Sequence, residues 1–378
     1  MKFTLAITLR CNLACPYCYI QKADATMSLS TARNIVDYAF ENSKSSEKIE
    51  IGFFGGEPLL QFDLMRRITS LIVNHPSYDQ ERVIVSVTTN GTIFNQEIAD
   101  FLTEKRVIPC VSCDGPPEVQ DCARVFPDGR PSSGVVEENL KQILRRFPLT
   151  PVNSVFSPAN LHHVPRTVDY LSHLGVSNIY LNPDIFGRWT EREAQMLPGI
   201  YEALGRMYMD FYRGGTPRYI SLIDGKIAAI LRGGYKPVER CRMGSGEFAF
   251  GPSGNVYLCE RFIGPDEGGP HCIGNIDQGF SGARGCQKIS SSPANGPCQE
   301  CGIRDYCMNW CGCTNYFTAG SYNTVSPFIC ASERAAVETA FSLIQRMGAE
   351  GMDFLHHLAG TPLANTILAA MEEAGALR

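Results

Sequence analysis

The sequence contains no apolar run approaching the roughly 18 residues a membrane-spanning helix needs, which argues against an integral helical membrane protein. It lacks any block of like charge. The 34 lysines and arginines against 39 aspartates and glutamates leave a formal net charge of −5, and nothing electrostatic draws the chain to nucleic acid. It has neither an internal repeat nor a low-complexity tract. The apolar start, Met1 to Leu9, is cut off by Arg10 and carries no small-residue cleavage site. It reads as the first strand of a cytosolic protein rather than an export signal. Tryptophan is scarce, and Trp189 and Trp310 read as packing residues.

Cysteine is abundant, with 16 in the chain. A disulfide framework belongs to small secreted domains short of a core, and this chain is long and without an export signal. Cysteines bunched at short spacings in such a chain point to metal ligation.

The first two-thirds alternates strand and helix signals. β-Branched runs stand at Phe3–Leu9, Ile49–Phe54, Val83–Thr89, Val107–Cys113, Val152–Phe156 and Asn178–Leu181. Helical periodicity covers Leu29–Glu41, Leu59–Val73 and Glu137–Arg146, with Ser28 or Ser30 as a cap for the first. Alternation with apolar strands predicts an α/β fold with a parallel sheet and right-handed crossovers. Six such units suit a partial (β/α)6, TIM-like barrel, with the site at the strand C-terminal ends. The expected organisation is a core over 1–225, a linker over 226–240, a cysteine-rich domain over 241–330 and a helical tail over 331–378. From Arg240 to Cys330 glycine, proline and cysteine are dense. That segment is expected to bury little apolar surface and to fold around its metals. Helices are expected again over Ala331–Arg346 and Leu363–Ala374.

Directly after the first strand stand Cys11, Cys15 and Cys18, spaced C-x3-C-x2-C. Three thiolates on one tight loop hold three irons of a [4Fe–4S] cluster and leave the fourth iron open to a small molecule. A zinc site would need a fourth ligand nearby, and the nearest histidine is His75. The run Cys11-Asn-Leu-Ala-Cys15-Pro-Tyr-Cys18-Tyr19 resembles the signature of the radical S-adenosylmethionine (SAM) superfamily. The resemblance implies SAM on the open iron and its cleavage to methionine and a 5′-deoxyadenosyl radical. It also implies that Tyr17 lies against the adenine. Gly55, Gly56 and Glu57 end the second strand. Without side chains the glycines allow close backbone approach to a ligand, and by resemblance the segment meets the SAM amino group, with Glu57 an acceptor suited to an ammonium. Thr89 and Asn90 resemble the family's polar end of the third strand. Ser112 and Arg124 stand at the spacing that holds the SAM carboxylate in related enzymes, an arginine fork matching a carboxylate. Leu181 and Asn182 are expected along the adenine site.

The second group runs Cys241, Gly254, Cys259, then Cys298-x2-Cys301-x5-Cys307-x3-Cys311 and Cys330. These spacings do not fit a simple zinc ribbon. The pattern resembles the SPASM motif of twin auxiliary clusters. The resemblance assigns Cys298, Cys301, Cys307 and Cys330 to an outer [4Fe–4S] cluster, and Cys241, Cys259 and Cys311 to an inner one. The inner set is one ligand short; Cys272, Cys313 or an open iron completes it. Cys110 and Cys286 read as small apolar residues. Cys113 and Cys122 flank the SAM loop, where a catalytic thiol is conceivable. Glu260, next to Cys259, is the candidate base by analogy with sulfatase-maturing relatives.

The resemblance implies three [4Fe–4S] clusters, SAM, and a peptide or protein substrate. The expected chemistry is oxidative modification of a ribosomal peptide by a thioether or carbon–carbon cross-link. An anaerobic sulfatase-maturing activity making formylglycine is the alternative, and a multi-cluster electron carrier is the alternative of another class. The expected partner is an electron donor such as flavodoxin or ferredoxin; the chain starts at its first strand with no leader-binding domain fused, which leaves leader recognition to a separate leader-binding protein, to the helical tail, or to neither. Neither nucleic acid nor membrane is expected as a partner.

Overall fold

A computed structural model describes residues 1–236, 240–291 and 295–352. The helix expected over Leu363–Ala374 lies outside them. In chain order the first elements are β1 (Lys2–Thr8), α1 (Leu29–Glu41), β2 (Ile49–Gly55), α2 (Phe62–Val73), β3 (Val83–Thr89), α3 (Gln96–Glu104), β4 (Val107–Ser112), α4 (Pro117–Gln120) and α5 (Ser133–Arg146). Next come β5 (Pro151–Phe156), α6 (Val164–His173), β6 (Asn178–Pro183), α7 (Glu191–Arg213), β7 (Tyr219–Ile220) and α8 (Ser221–Leu231). The remainder is β8 (Glu247–Phe250), β9 (Asn255–Tyr257), β10 (Cys272–Asn275), β11 (Gly279–Phe280), α9 (Gly282–Ser290), α10 (Gly296–Gln299), α11 (Gly312–Ala319) and α12 (Pro327–Ala349). The chain divides into two compact units, one of Met1–Ser112, Gln120–Arg146 and Cys241–Ser292, the other of Cys113–Val119, Phe147–Arg240 and Pro293–Arg378.

In the first unit the strands lie in the order β11-β10-β9-β8-β1-β2-β3-β4. From β8 to β4 they run parallel, which is why helices must carry the chain back between them. Alternation along the strands works as the sequence predicts. Ile49, Ile51 and Phe53 of β2 and Val83, Val85 and Val87 of β3 are buried on one face. Each fully buried side chain of this size contributes about 1.5–3 kcal/mol. Helix α1 turns Ile35, Val36, Ala39 and Phe40 inward. It begins at Ser28, whose hydroxyl accepts the Thr31 N–H at 3.0 Å and takes up one of the orphan donors of the first turn.

The expectation that the cysteine-rich stretch buries little apolar surface is wrong for residues 241–291. Phe248, Phe250, Val256, Tyr257, Leu258 and Ile273 are all buried. The reason is the edge that β1 offers. Strand β8 pairs parallel with it from Lys2↔Glu247 to Leu5↔Phe250, and β9 to β11 follow antiparallel. Tyr38 of α1 then closes over Phe248 and Phe280 at ring-centroid distances of 6.3 and 4.7 Å.

In the second unit β5, β6 and β7 pair in parallel, and α12 packs along α7 and α8. Trp189 stacks on Phe328 of α12 at 3.8 Å between ring centroids and donates its indole N–H to the Asp184 carbonyl at 2.7 Å. It packs, as expected. Helix α12 starts earlier than the periodicity suggests, because the Ser326 hydroxyl caps it ahead of Pro327.

Candidate active site

The loop carrying Cys11, Cys15 and Cys18 leaves the C-terminal end of β1 and is pinned on several sides of the first unit. Gly56 and Glu57 donate their backbone N–H groups to the carbonyls of Thr8 and Arg10, each at 2.8 Å. That contact explains both glycines. A Cβ on Gly55 would sit 2.1 Å from the Thr8 carbonyl oxygen, and one on Gly56 would sit 2.1 Å from that of Arg10. Gly55 also has φ +126°, which L side chains avoid. The close approach these glycines permit is thus first of all that of the protein's own cysteine loop. Ala14 donates to the Val125 carbonyl at 2.6 Å, and Gln21 donates to Gly264 at 3.0 Å, where Ile20 forms a bridge with Gly264.

Glu57 is fully buried. Its carboxylate accepts the Leu59 N–H at 3.0 Å, the Thr89 hydroxyl at 2.8 Å and the Asn90 N–H at 2.7 Å. Burial pushes this carboxyl up to about 7, against the opposing pull of the three donors. In this geometry Glu57 ties the end of β2 to the end of β3. The side chain of Asn90 continues the chain of contacts, donating to Asn12 Oδ1 at 2.8 Å and to Cys11 Sγ at 3.7 Å. The Leu13 N–H also points at Cys11 Sγ, at 3.4 Å. A sulfur that receives N–H donors suits a thiolate bound to metal.

Arg124 is buried, and its guanidinium lies 5.4 Å from the ring of Tyr17. The structure therefore joins the residue expected at the adenine to the one expected at the SAM carboxylate. Ser112 closes β4 in the same unit, half-buried. Leu181 belongs to the other unit, where it is buried and donates its N–H to the Ser221 hydroxyl at 3.0 Å.

Glu260 begins a short helical turn after Cys259, whose thiol faces its Oε2 at 3.4 Å. Burial would raise the Glu260 carboxyl, but the charges of Lys2 and Arg261 outweigh it and hold it below the ordinary range. Lys2, in turn, is held above its ordinary value, first of all by Glu260.

A pattern common to the radical SAM superfamily matches residues 5–171. A cysteine-type anaerobic sulfatase-maturating enzyme of Clostridium perfringens is 30% identical over 285 residues, covering 67% of this chain and 72% of that protein. The chain belongs to the radical SAM superfamily. An uncharacterized protein of Methanocaldococcus jannaschii, MJ0907, is 29% identical over 277 residues, covering 72% of this chain and 87% of that one. The solved structure of native anSMEcpe with bound AdoMet superposes with a TM-score of 0.75 at 19% identity, covering 92% of this chain and 99% of that one. Streptococcus suis SuiB bound to its precursor peptide SuiA superposes with a TM-score of 0.59 at 14% identity, covering 87% and 75%. The TIM-like α/β fold read from the strand pattern, and the radical SAM membership read from the cysteine motif, are therefore correct, with a mixed sheet and a helical C-terminal region.

As a radical SAM enzyme, the chain is expected to hold a [4Fe–4S] cluster and SAM. Its donor set fits the cluster: three thiols share one loop, and Cys11 already receives two N–H groups. Among the described residues no three His, Cys, Asp or Glu side chains converge as a single ion requires.

The remaining cysteines divide between the units. Cys241, Cys259 and Cys272 lie in the first. Cys259 is extended, with φ −157° and ψ 153°, so its side chain shares the face of Tyr257, and Tyr257 pairs with Cys272. Cys272 Sγ donates to the Gly274 carbonyl at 3.2 Å. Cys298, Cys301, Cys307, Cys311, Cys313 and Cys330 lie in the second unit, where Cys311 and Cys313 bring their sulfurs to 3.8 Å. Cys110 is pushed up to about 11 by burial, in keeping with its reading as a small apolar residue. Cys113 is buried too, which keeps a thiol inert.

Two residues at the site escaped the sequence reading. Asn12 sits between two motif cysteines yet looks like a spacer. Lys2 is the one charged residue of β1, and that contrast was a usable signal. In the second unit Lys226 escaped it as well; with Asp224 it is one of two charged residues in the run Ser-Leu-Ile-Asp-Gly-Lys-Ile-Ala-Ala-Ile-Leu.

Proposed function

We propose that the protein oxidatively modifies a side chain of a ribosomally made peptide, closing a thioether or carbon–carbon cross-link. When bound, SAM and a [4Fe–4S] cluster at Cys11, Cys15 and Cys18 supply a carbon-centred radical able to take a hydrogen atom from a C–H bond. The proposal includes two further clusters on the assigned cysteines of the C-terminal half. Tyr17, Thr89, Asn90, Ser112 and Arg124 serve to bind SAM.

The observation that carries this reading is Glu260. Its carboxylate stands next to an assigned cluster cysteine, with Oε2 3.4 Å from the Cys259 thiol, in the same unit as the Cys11–Cys18 loop. Cross-linking removes two hydrogens from the substrate. One leaves as a hydrogen atom; the other leaves as a proton, which Glu260 is placed to take, and an electron, for which an auxiliary cluster would be the acceptor.

A second reading has equal support. The Clostridium perfringens relative is a cysteine-type anaerobic sulfatase-maturating enzyme, and conversion of a cysteine to formylglycine needs a base in the same way. Incubating the reduced protein and SAM with a cysteine-containing peptide from an adjacent reading frame, and separately with a sulfatase-derived peptide, distinguishes the two. A product lacking two hydrogens and inert to hydrazide supports the cross-link. A hydrazide-reactive aldehyde on the sulfatase peptide supports formylglycine and rejects the first reading.

A further inference from the structure

Cys330, Glu333 and Arg334 lie on one face of α12, within one helical turn. Glu333 accepts the Met308 N–H at 2.6 Å and the buried Lys226 ammonium at 2.6 Å, in an ion pair whose side chains are 14% and 4% exposed. It thereby fastens the strand of chain just after Cys307 to the helix. Arg334 reaches the other way. Its Nη2 donates to Cys301 Sγ at 3.6 Å, a reasonable distance for a sulfur acceptor.

We propose that Arg334 is a positioning residue for the outer cluster. It fixes Cys301 and, by placing a permanent positive charge against its sulfur, raises the cluster's reduction potential above that of an uncompensated four-thiolate site. The inference rests on the reading that Cys298, Cys301, Cys307 and Cys330 carry a cluster. Hydrogen bonds to the sulfurs and net charge are two of the determinants of such potentials.

The test is a potentiometric titration of the anaerobically reconstituted holoenzyme, followed by electron paramagnetic resonance, for wild type, Arg334→Gln and Arg334→Lys. Iron content with and without joint replacement of Cys298, Cys301, Cys307 and Cys330 by alanine first establishes whether a cluster is there. Equal iron in the two rejects the cluster reading itself. With the cluster present, Arg334→Gln is expected to lower one midpoint alone, by about tenfold in the reduced-to-oxidised ratio at fixed poise, or about 59 mV for one electron. Arg334→Lys, which keeps the charge, is expected to recover most of the shift. Unchanged midpoints in Arg334→Gln overturn the inference. So does a shift that Lys fails to recover at all, because charge would then not be the cause.

Discussion

The Asn90 backbone N–H lies 2.7 Å from the Glu57 carboxylate, and the Asn90 side chain reaches Cys11 Sγ at 3.7 Å. A fully buried acid at the end of β2 is thereby connected to the first cysteine through one residue at the end of β3. Replacing Glu57 by alanine leaves three buried donors unmet, and the expected cost is about 3 kcal/mol. A denaturant titration under anaerobic conditions measures it. A change within about 0.5 kcal/mol would mean that the three contacts bring no net stability.

Glu57 also predicts a pH dependence. Its folded pKa of about 7 exceeds the ordinary value of 4.5. Between these values the folded chain holds a proton that the unfolded chain has released. Its contribution to stability is therefore largest below 4.5 and declines as pH rises toward 7. Glu57→Gln, which cannot ionise, is expected to lack this decline when its thermal midpoints are compared with wild type across that window.

Asn90→Leu removes the donor to Cys11 and the link to Asn12 while Glu57 keeps the backbone N–H. Loss of such an outer contact is expected to slow SAM cleavage about 10–100-fold, with iron content largely retained. Iron quantification beside 5′-deoxyadenosine release separates this outcome from simple loss of the cluster.

Lys226→Met strands Glu333 in a buried setting and is expected to destabilise the second unit by about 3–5 kcal/mol. Substituting Glu333→Leu as well is expected to restore part of that loss, since the uncompensated charge goes with it. Unfolding midpoints of the single and double variants provide the comparison.

Much of this was legible in the sequence because the signals are local. The alternation of Ile49, Ile51 and Phe53 marks β2, and the spacing of Ile35, Val36, Ala39 and Phe40 marks α1 together with the Ser28 cap. The cysteine spacings needed no structure. What stayed hidden depends on contacts distant in sequence. Strands β8 to β11 span two to four residues each, too short for any periodicity, and they exist because β1 offers an open edge. The role of Gly55 and Gly56 was read as room for a ligand. The carbonyls of Thr8 and Arg10, which actually require the glycines, are invisible until the loop is folded. The saturation of Glu57 by Leu59, Thr89 and Asn90 was hidden for the same reason.

If Glu260 is the base, Glu260→Gln uncouples the two halves of the reaction. It is expected to release 5′-deoxyadenosine at near the wild-type rate while forming little modified peptide, a drop of about 10²–10⁴-fold in product. Product formation at the wild-type level would assign the proton to another group.

The central claim is that Cys11, Cys15 and Cys18 hold the cluster at which SAM is cleaved. The direct measurement is 5′-deoxyadenosine formed from SAM by the dithionite-reduced, iron-reconstituted protein, beside the variant with all three cysteines changed to alanine. The wild type is expected to form it, and the triple variant none, while keeping the iron bound by its other cysteines. Undiminished 5′-deoxyadenosine from the triple variant would contradict the account.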